Sequence, residues 1–162
     1  MSAPAAEASR YRIRRADPAD HDAVARELRA YLDWLGEELD GEGLDKDIAQ
    51  WQSAYDGRRG GLLVVEDPAG VVVGTAAVRV LEPGVGEVKR MWLRPAHQGK
   101  GLGRPLMDAC LAEARALGCT RLRLDSEDRL AAAVHLYRAY GFQEIADYNG
   151  NTRANIWMER AL

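Results

Sequence analysis

The stretch Leu93-Arg94-Pro95-Ala96-His97-Gln98-Gly99-Lys100-Gly101-Leu102-Gly103-Arg104 decides how this chain is read. It follows a strand-like run over 86–94 and opens an amphipathic run over 102–117, where Leu102, Leu106, Cys110, Ala114 and Leu117 recur at helical spacing. Glycines at 99, 101 and 103 let the backbone turn tightly and, with no Cβ, let a ligand come close. Amides at a helix start have no partner inside the helix, and the positive end of the helix dipole lies behind them. Strand, glycine-rich turn and helix N-terminus together make an anion site, most naturally one for a pyrophosphate.

Two common pyrophosphate patterns fail. A P-loop requires Ser or Thr after its lysine, and none follows Lys100; a dinucleotide loop starting at Gly99 requires glycine where Arg104 stands. What remains is Gln98-x-x-Gly101-x-Gly103, with Leu136-Tyr137-Arg138-Ala139-Tyr140-Gly141-Phe142 downstream.

Together these resemble the acetyl-coenzyme A loop, [RQ]-x-x-G-x-[GA], and the second hallmark, L-Y-x-x-x-G-F, of the GNAT superfamily of N-acetyltransferases. The order of elements agrees with that family from residue 11 to the C-terminus. The resemblance implies an α/β fold: a mixed, predominantly antiparallel central sheet, splayed between its fourth and fifth strands, with helices on both faces. Here those strands fall at 87–94 and 120–125. It also implies acetyl-CoA as cosubstrate, with no metal. Gln98, Gly99, Lys100, Gly101, Leu102, Gly103 and Arg104 are expected to cradle the phosphates, and the main chain of Met91, Trp92 and Leu93 to pair with pantetheine. Relatives carry an asparagine near the start of the next helix; Leu130 stands there, and Ser126 is the candidate substitute.

The rest of the chain alternates strands and helices. Tyr11–Arg15 reads as a strand, and Asp17-Pro18 as a cap and first position for a helix with Val24, Leu28, Tyr31 and Leu35 on one face. A second helix is expected around Leu44–Tyr55. Leu62–Glu66 and Val71–Leu81 flank the turn Asp67-Pro68-Ala69-Gly70 as a hairpin. Thr120–Leu124, a helix over Leu130–Tyr140, and strands Phe142–Ile145 and Ala154–Glu159 complete the pattern. Residues 1–9 read as a disordered lead-in, and 10–162 as a single domain.

Acetyl transfer to an amine needs a base, because an alkyl ammonium titrates near ~10, and an acid for the departing thiolate. Glu87, on the strand leading into the loop, is the candidate base, where several family members place a glutamate. Its competing reading is a carboxylate paired with Lys89 or Arg90. Tyr137 is the candidate acid, since the family commonly aims a tyrosine hydroxyl at the coenzyme sulfur; Val134, Tyr137 and Gly141 also share helical spacing, which fits packing. Tyr140 reads as packing. Tyr31, Trp34 and Glu87 are candidate acceptor-site residues, with Trp51 as a further wall. Between them, 37–47 carries six acids against Lys46, read as a solvated, mobile loop in preference to a lure for cationic amines.

A net charge of −3 argues against nucleic acid as partner, and no apolar run approaches the length of a membrane span. Residues 1–9 lack the basic and apolar regions of a signal peptide, and two cysteines, Cys110 and Cys119, suggest neither a disulfide frame nor a metal site. His21, His97 and His135 have no ligand or triad spacing. A cytoplasmic enzyme acting on a small-molecule or peptide amine follows, with a homodimer left open. The alternatives are a non-catalytic acyl-CoA-binding regulator and a protein lysine or N-terminal acetyltransferase.

Overall fold

Residues 62–65 are apolar at every position, which in a strand means burial on both faces. In the computed structural model, which describes residues 2–162, that is what they do. Leu63 and Val65 enter one core with Ala76, Val78, Leu106, Met107, Cys110 and Leu122. Leu62 and Val64 enter a second core with Val24, Leu28, Trp51, Tyr55 and Ala77.

The strands are β1 (Arg12–Arg15), β2 (Gly60–Glu66), β3 (Val72–Glu82), β4 (Val85–Leu93), β5 (Arg121–Ser126), β6 (Gln143–Ile145) and β7 (Ile156–Ala161). They form one seven-stranded sheet in the order β1-β2-β3-β4-β5-β7-β6. Among the described residues β4 and β5 are the one parallel pair; the other neighbours are antiparallel. A parallel pair needs a crossover, supplied here by α5 (Gly103–Ala116). That helix and α6 (Ala131–Ala139) cover the first core, while α2 (His21–Leu35) covers the second with the single turns α3 (Lys46–Ala49) and α4 (Trp51–Ala54). Asp17 starts the approach to α2 through a reciprocal cap: its Oδ1 accepts from the Ala19 amide, and Asp20 Oδ2 accepts from the Asp17 amide, both at 2.8 Å.

The splay expected between the fourth and fifth strands is present. β4 and β5 pair only at Val85↔Arg121, Gly86↔Leu122 and Glu87↔Arg123. Beyond that vertex β4 follows β3 and β5 follows β7, leaving facing edges with no strand partner. Within β4 a bulge sets Arg90 and Met91 against Ala76, and Arg90 takes φ 56°, a left-handed conformation unusual for a side chain that large. The Thr75 hydroxyl donates to the Arg90 carbonyl at 2.8 Å and fixes the bulge.

Two expectations are corrected. Ala3–Ala8 forms a helix, α1, in place of a disordered lead-in. Its alanines favour helix, and Glu7 pairs with Lys100 at 2.6 Å. The single helix around Leu44–Tyr55 is instead the two turns α3 and α4, broken at Gln50, whose φ of −131° is not helical. No helix of the described residues is long and apolar enough to cross a membrane.

Candidate active site

The loop between β4 and α5 has the backbone that its glycines imply. Gly99 and Gly101 adopt φ 74° and 79°, and a Cβ on Gly99 would meet nothing within 4 Å. The N-cap residue of α5, Leu102, offers no side-chain cap. The Leu102 side chain is buried at 2% exposure and anchors the turn. Two expected contacts are differently employed. Gln98 folds back, its Nε2 donating to the Leu93 carbonyl at 2.8 Å, so it braces the loop. Lys100 is held by Glu7, and the Pro4 carbonyl oxygen lies 3.1 Å from where a Cβ on Gly101 would stand, so α1 rests on the loop. Arg104 lies 5.9 Å from the centre of the Tyr140 ring. The Tyr140 hydroxyl donates to Asp108 at 2.7 Å, in keeping with a structural residue.

Glu87 occupies the last register position before the strands part, and it is 1% exposed. Its Oε1 accepts from Arg79 Nε at 2.9 Å. Its Oε2 accepts from the Tyr148 hydroxyl at 2.5 Å and from Asn149 Nδ2 at 3.3 Å. Lys89 Nζ lies 3.8 Å from Oε1. The expected alternative pairing with Lys89 or Arg90 is therefore mostly replaced by Arg79, because Arg79 is the cross-strand partner of Glu87. Burial, then the charge of Glu87, push the Tyr148 phenol well above the ordinary tyrosine range.

Tyr148 and Asn149 were not legible as site residues; the only signal is one aromatic in the polar turn 147–151. That turn is wound on Asp147, whose Oδ1 accepts from the amides of Asn149 and Gly150. Asn149 is then oriented by Trp157 Nε1, which donates to its Oδ1 at 2.9 Å, and by Asp125, which accepts from its Nδ2 at 2.6 Å.

Tyr137 is 8% exposed and part of the first core, its ring 6.2 Å from that of Phe142. Burial raises its phenol above the ordinary range, with further push from Tyr31, Cys110 and Asp125; Ser126, beside it, works in the opposite direction. Tyr31, Tyr137 and Asp125 thus share one neighbourhood at the splay. Tyr31 packs its ring 5.5 Å from that of Trp92, as does Trp34, which is 45% exposed. The Trp92 side chain turns away to a buried carboxylate: its Nε1 donates to Glu27 at 3.2 Å, and Glu27 also accepts from Arg94. Trp51 is separate from this group. It stacks on His21 and lines a cavity of 230 Å³ with Arg15, Pro18 and Tyr55.

The acidic segment 37–47 is tied down, which corrects the expectation of a solvated, mobile loop. Asp45 is fully buried and accepts from Arg153 at 2.9 Å. Arg90, aimed by the bulge, makes a two-pronged contact with Asp47 at 2.7 and 3.0 Å, and Tyr55 donates to the same carboxylate at 2.6 Å. Burial works to raise the Asp47 carboxyl, but Arg90 and Tyr55 together bring it down to about 2. Arg153 also reaches Glu37 and the Glu38 carbonyl, so it clips this segment to the loop before β7.

Comparison with known proteins agrees with this architecture. The sequence model described as the acetyltransferase (GNAT) family matches residues 25–142. An uncharacterized N-acetyltransferase of Schizosaccharomyces pombe is 31% identical over 86% of each chain. A GNAT-family acetyltransferase structure from Staphylococcus aureus superposes with a TM-score of 0.81, covering 93% of this chain and 98% of that one at 15% identity. The Salmonella typhimurium protein yncA, whose structure holds its cofactor acetyl-CoA, has a TM-score of 0.71, 26% identity and 93% coverage of each chain.

Proposed function

The chain belongs to the GNAT acetyltransferase family, and on that premise we propose that it moves the acetyl group of acetyl-CoA directly onto a primary amine of a small molecule. The observation carrying this reading is the Glu87 carboxylate, buried at the vertex where β4 and β5 part. Bound acetyl-CoA supplies the acyl group as an activated thioester. The open Gly99 backbone, the uncapped start of α5 and the cation of Lys100 suit its diphosphate, and the unpaired edge of β4 at Met91–Leu93 suits its pantetheine arm.

Glu87 receives the proton of the acceptor amine, leaving a lone pair free to attack. Tyr137 donates a proton to the departing sulfur, and burial keeps its phenol protonated across the working range. Ser126, beside Tyr137, is the remaining candidate coenzyme contact. Tyr31 and exposed Trp34 form the acceptor's apolar wall. A small acceptor is favoured because Arg153 clips the 37–47 segment to the loop before β7, which narrows the acceptor side. We take 10–162 as one acetyltransferase domain, working in the cytoplasm, where the thiols of Cys110 and Cys119 stay free. The test is coenzyme thiol release from acetyl-CoA across a panel of amines, amino acids and peptides. Release stimulated by a small amine is expected; release only with proteins, or with none of the panel, overturns the reading.

A further inference from the structure

We propose that Tyr148 is a third catalytic residue, which carries the acceptor's proton to Glu87; this rests on the acetyl-transfer reading above. Glu87 is 1% exposed, so its oxygens are reached through the groups that surround them. Those groups are Arg79 Nε at 2.9 Å, the Tyr148 hydroxyl at 2.5 Å and Asn149 Nδ2 at 3.3 Å. A guanidinium and a carboxamide do not release a proton near neutrality. Lys89, at 3.8 Å, stands beyond hydrogen-bond distance. A phenol can donate its proton to a carboxylate and accept another on the same oxygen. Among the described residues no group donates to the Tyr148 oxygen, so that lone pair is open to an incoming N–H.

The ring is held where such a relay has to be. Its centre lies 5.3 Å from the guanidinium carbon of Arg123, the register partner of Glu87 at the vertex of the splay. The turn on Asp147 sets its backbone, and Asn149, locked to Asp125 and Trp157, sets the next residue. In the step, the ammonium N–H proton moves to Tyr148 Oη while the Tyr148 O–H proton moves to Glu87 Oε2. The nitrogen keeps the electron pair of the broken N–H bond, the phenol is regenerated, and the carboxylate becomes a carboxylic acid that later loses its proton to solvent. The charges facing the phenol are Glu87 and Arg79 from β4 and β3, and Asp125 and Arg123 from β5. Burial and Glu87 hold the phenol in its protonated form, which suits a relay and excludes a free phenolate base.

Tyr148→Phe keeps the ring and its Arg123 contact and removes only the hydroxyl. We expect kcat to fall by about 10²-fold, within the range for lost acid–base catalysis, with coenzyme affinity unchanged. Glu87→Gln should lose at least as much, and the double variant no more than the worse single, because both act on one proton path. A second readout does not depend on turnover. The alkaline phenolate absorption of wild type minus that of Tyr148→Phe isolates this tyrosine, and its midpoint should move down in a Glu87→Gln background. Near-wild-type kcat in the Phe variant, losses that multiply, or an unmoved phenolate midpoint overturns the proposal. If no amine is acetylated by the wild type, the acetyl-transfer reading fails and takes the relay's substrate with it; the midpoint then shows whether the Tyr148–Glu87 pair itself is real.

Discussion

Residues 98–104 shape their site with main chain: two left-handed glycines, an uncapped helix start and a buried leucine that pins the turn. Residues 37–47 and 147–153 shape theirs with charge, through Arg90, Arg153, Asp45 and Asp47, side chains brought together from distant parts of the chain. The first kind of site tolerates any side chain that leaves the backbone path alone. The second is specified by partners, so a single lost charge leaves a buried group unpaired. On the proposed reading, the diphosphate end of the coenzyme is recognised locally and the acceptor by distributed groups, so the acceptor side could change without disturbing that loop.

The sharpest attack on that division is at the vertex between the two regions. Glu87→Gln should lower kcat by about 10²–10⁴-fold while leaving coenzyme A affinity, measured by calorimetry, at its wild-type value. A fall in affinity of similar size would mean that Glu87 shapes the coenzyme side as well. Tyr137→Phe comes next: it keeps the packed ring, so kcat should drop by about tenfold or more with little change in melting temperature. A normal rate with a lowered melting temperature would make Tyr137 a core residue and nothing else.

Gly101→Val addresses the main-chain side alone. A β-branched residue at φ 79° is strained, and its Cβ would stand 3.1 Å from the Pro4 carbonyl oxygen. Coenzyme A affinity should fall by about tenfold, the scale of 1–3 kcal/mol of backbone strain. Unchanged affinity would move the diphosphate elsewhere. Asp47→Asn addresses the charged side alone and reads out in stability. Folding holds this carboxyl near 2 against an ordinary 3.8. Its folded value is depressed, so its contribution of about 2 kcal/mol is complete above the unfolded value and fades as pH falls through the folded one. The wild type should therefore exceed the variant in denaturant titrations at neutral pH, with the gap closing between pH 4 and 2. A gap that persists into acid would trace the loss to geometry in place of charge.

The difference between the two regions also explains what could be read from sequence. The glycine loop was legible because backbone geometry is written in a few consecutive residues, and the buried strands because 62–65 are apolar throughout. The ion pairs were not. Arg153 and Asp45 are separated by 108 positions, and nothing local marks either as a partner. The acidic run 37–47 looked like solvated surface because its neutralising arginines lie elsewhere. Tyr148 escaped for the same reason: its importance lies in its distance from Glu87, which only the folded sheet defines.

The rest of α1 upon the glycine loop has a consequence for titrations of this protein. Glu7 already occupies Lys100 at 2.6 Å, so on the proposed reading an incoming diphosphate has to compete with an anion supplied by the chain itself. The helix exposes most of its surface and buries no residue, so this internal competitor is weakly held and its displacement is inexpensive. Observed affinity is the intrinsic one scaled by the fraction of molecules in which Lys100 is released. Replacing Glu7 with Gln should accordingly tighten coenzyme A by about two- to threefold at low salt, and the gain should shrink as ionic strength screens the pair.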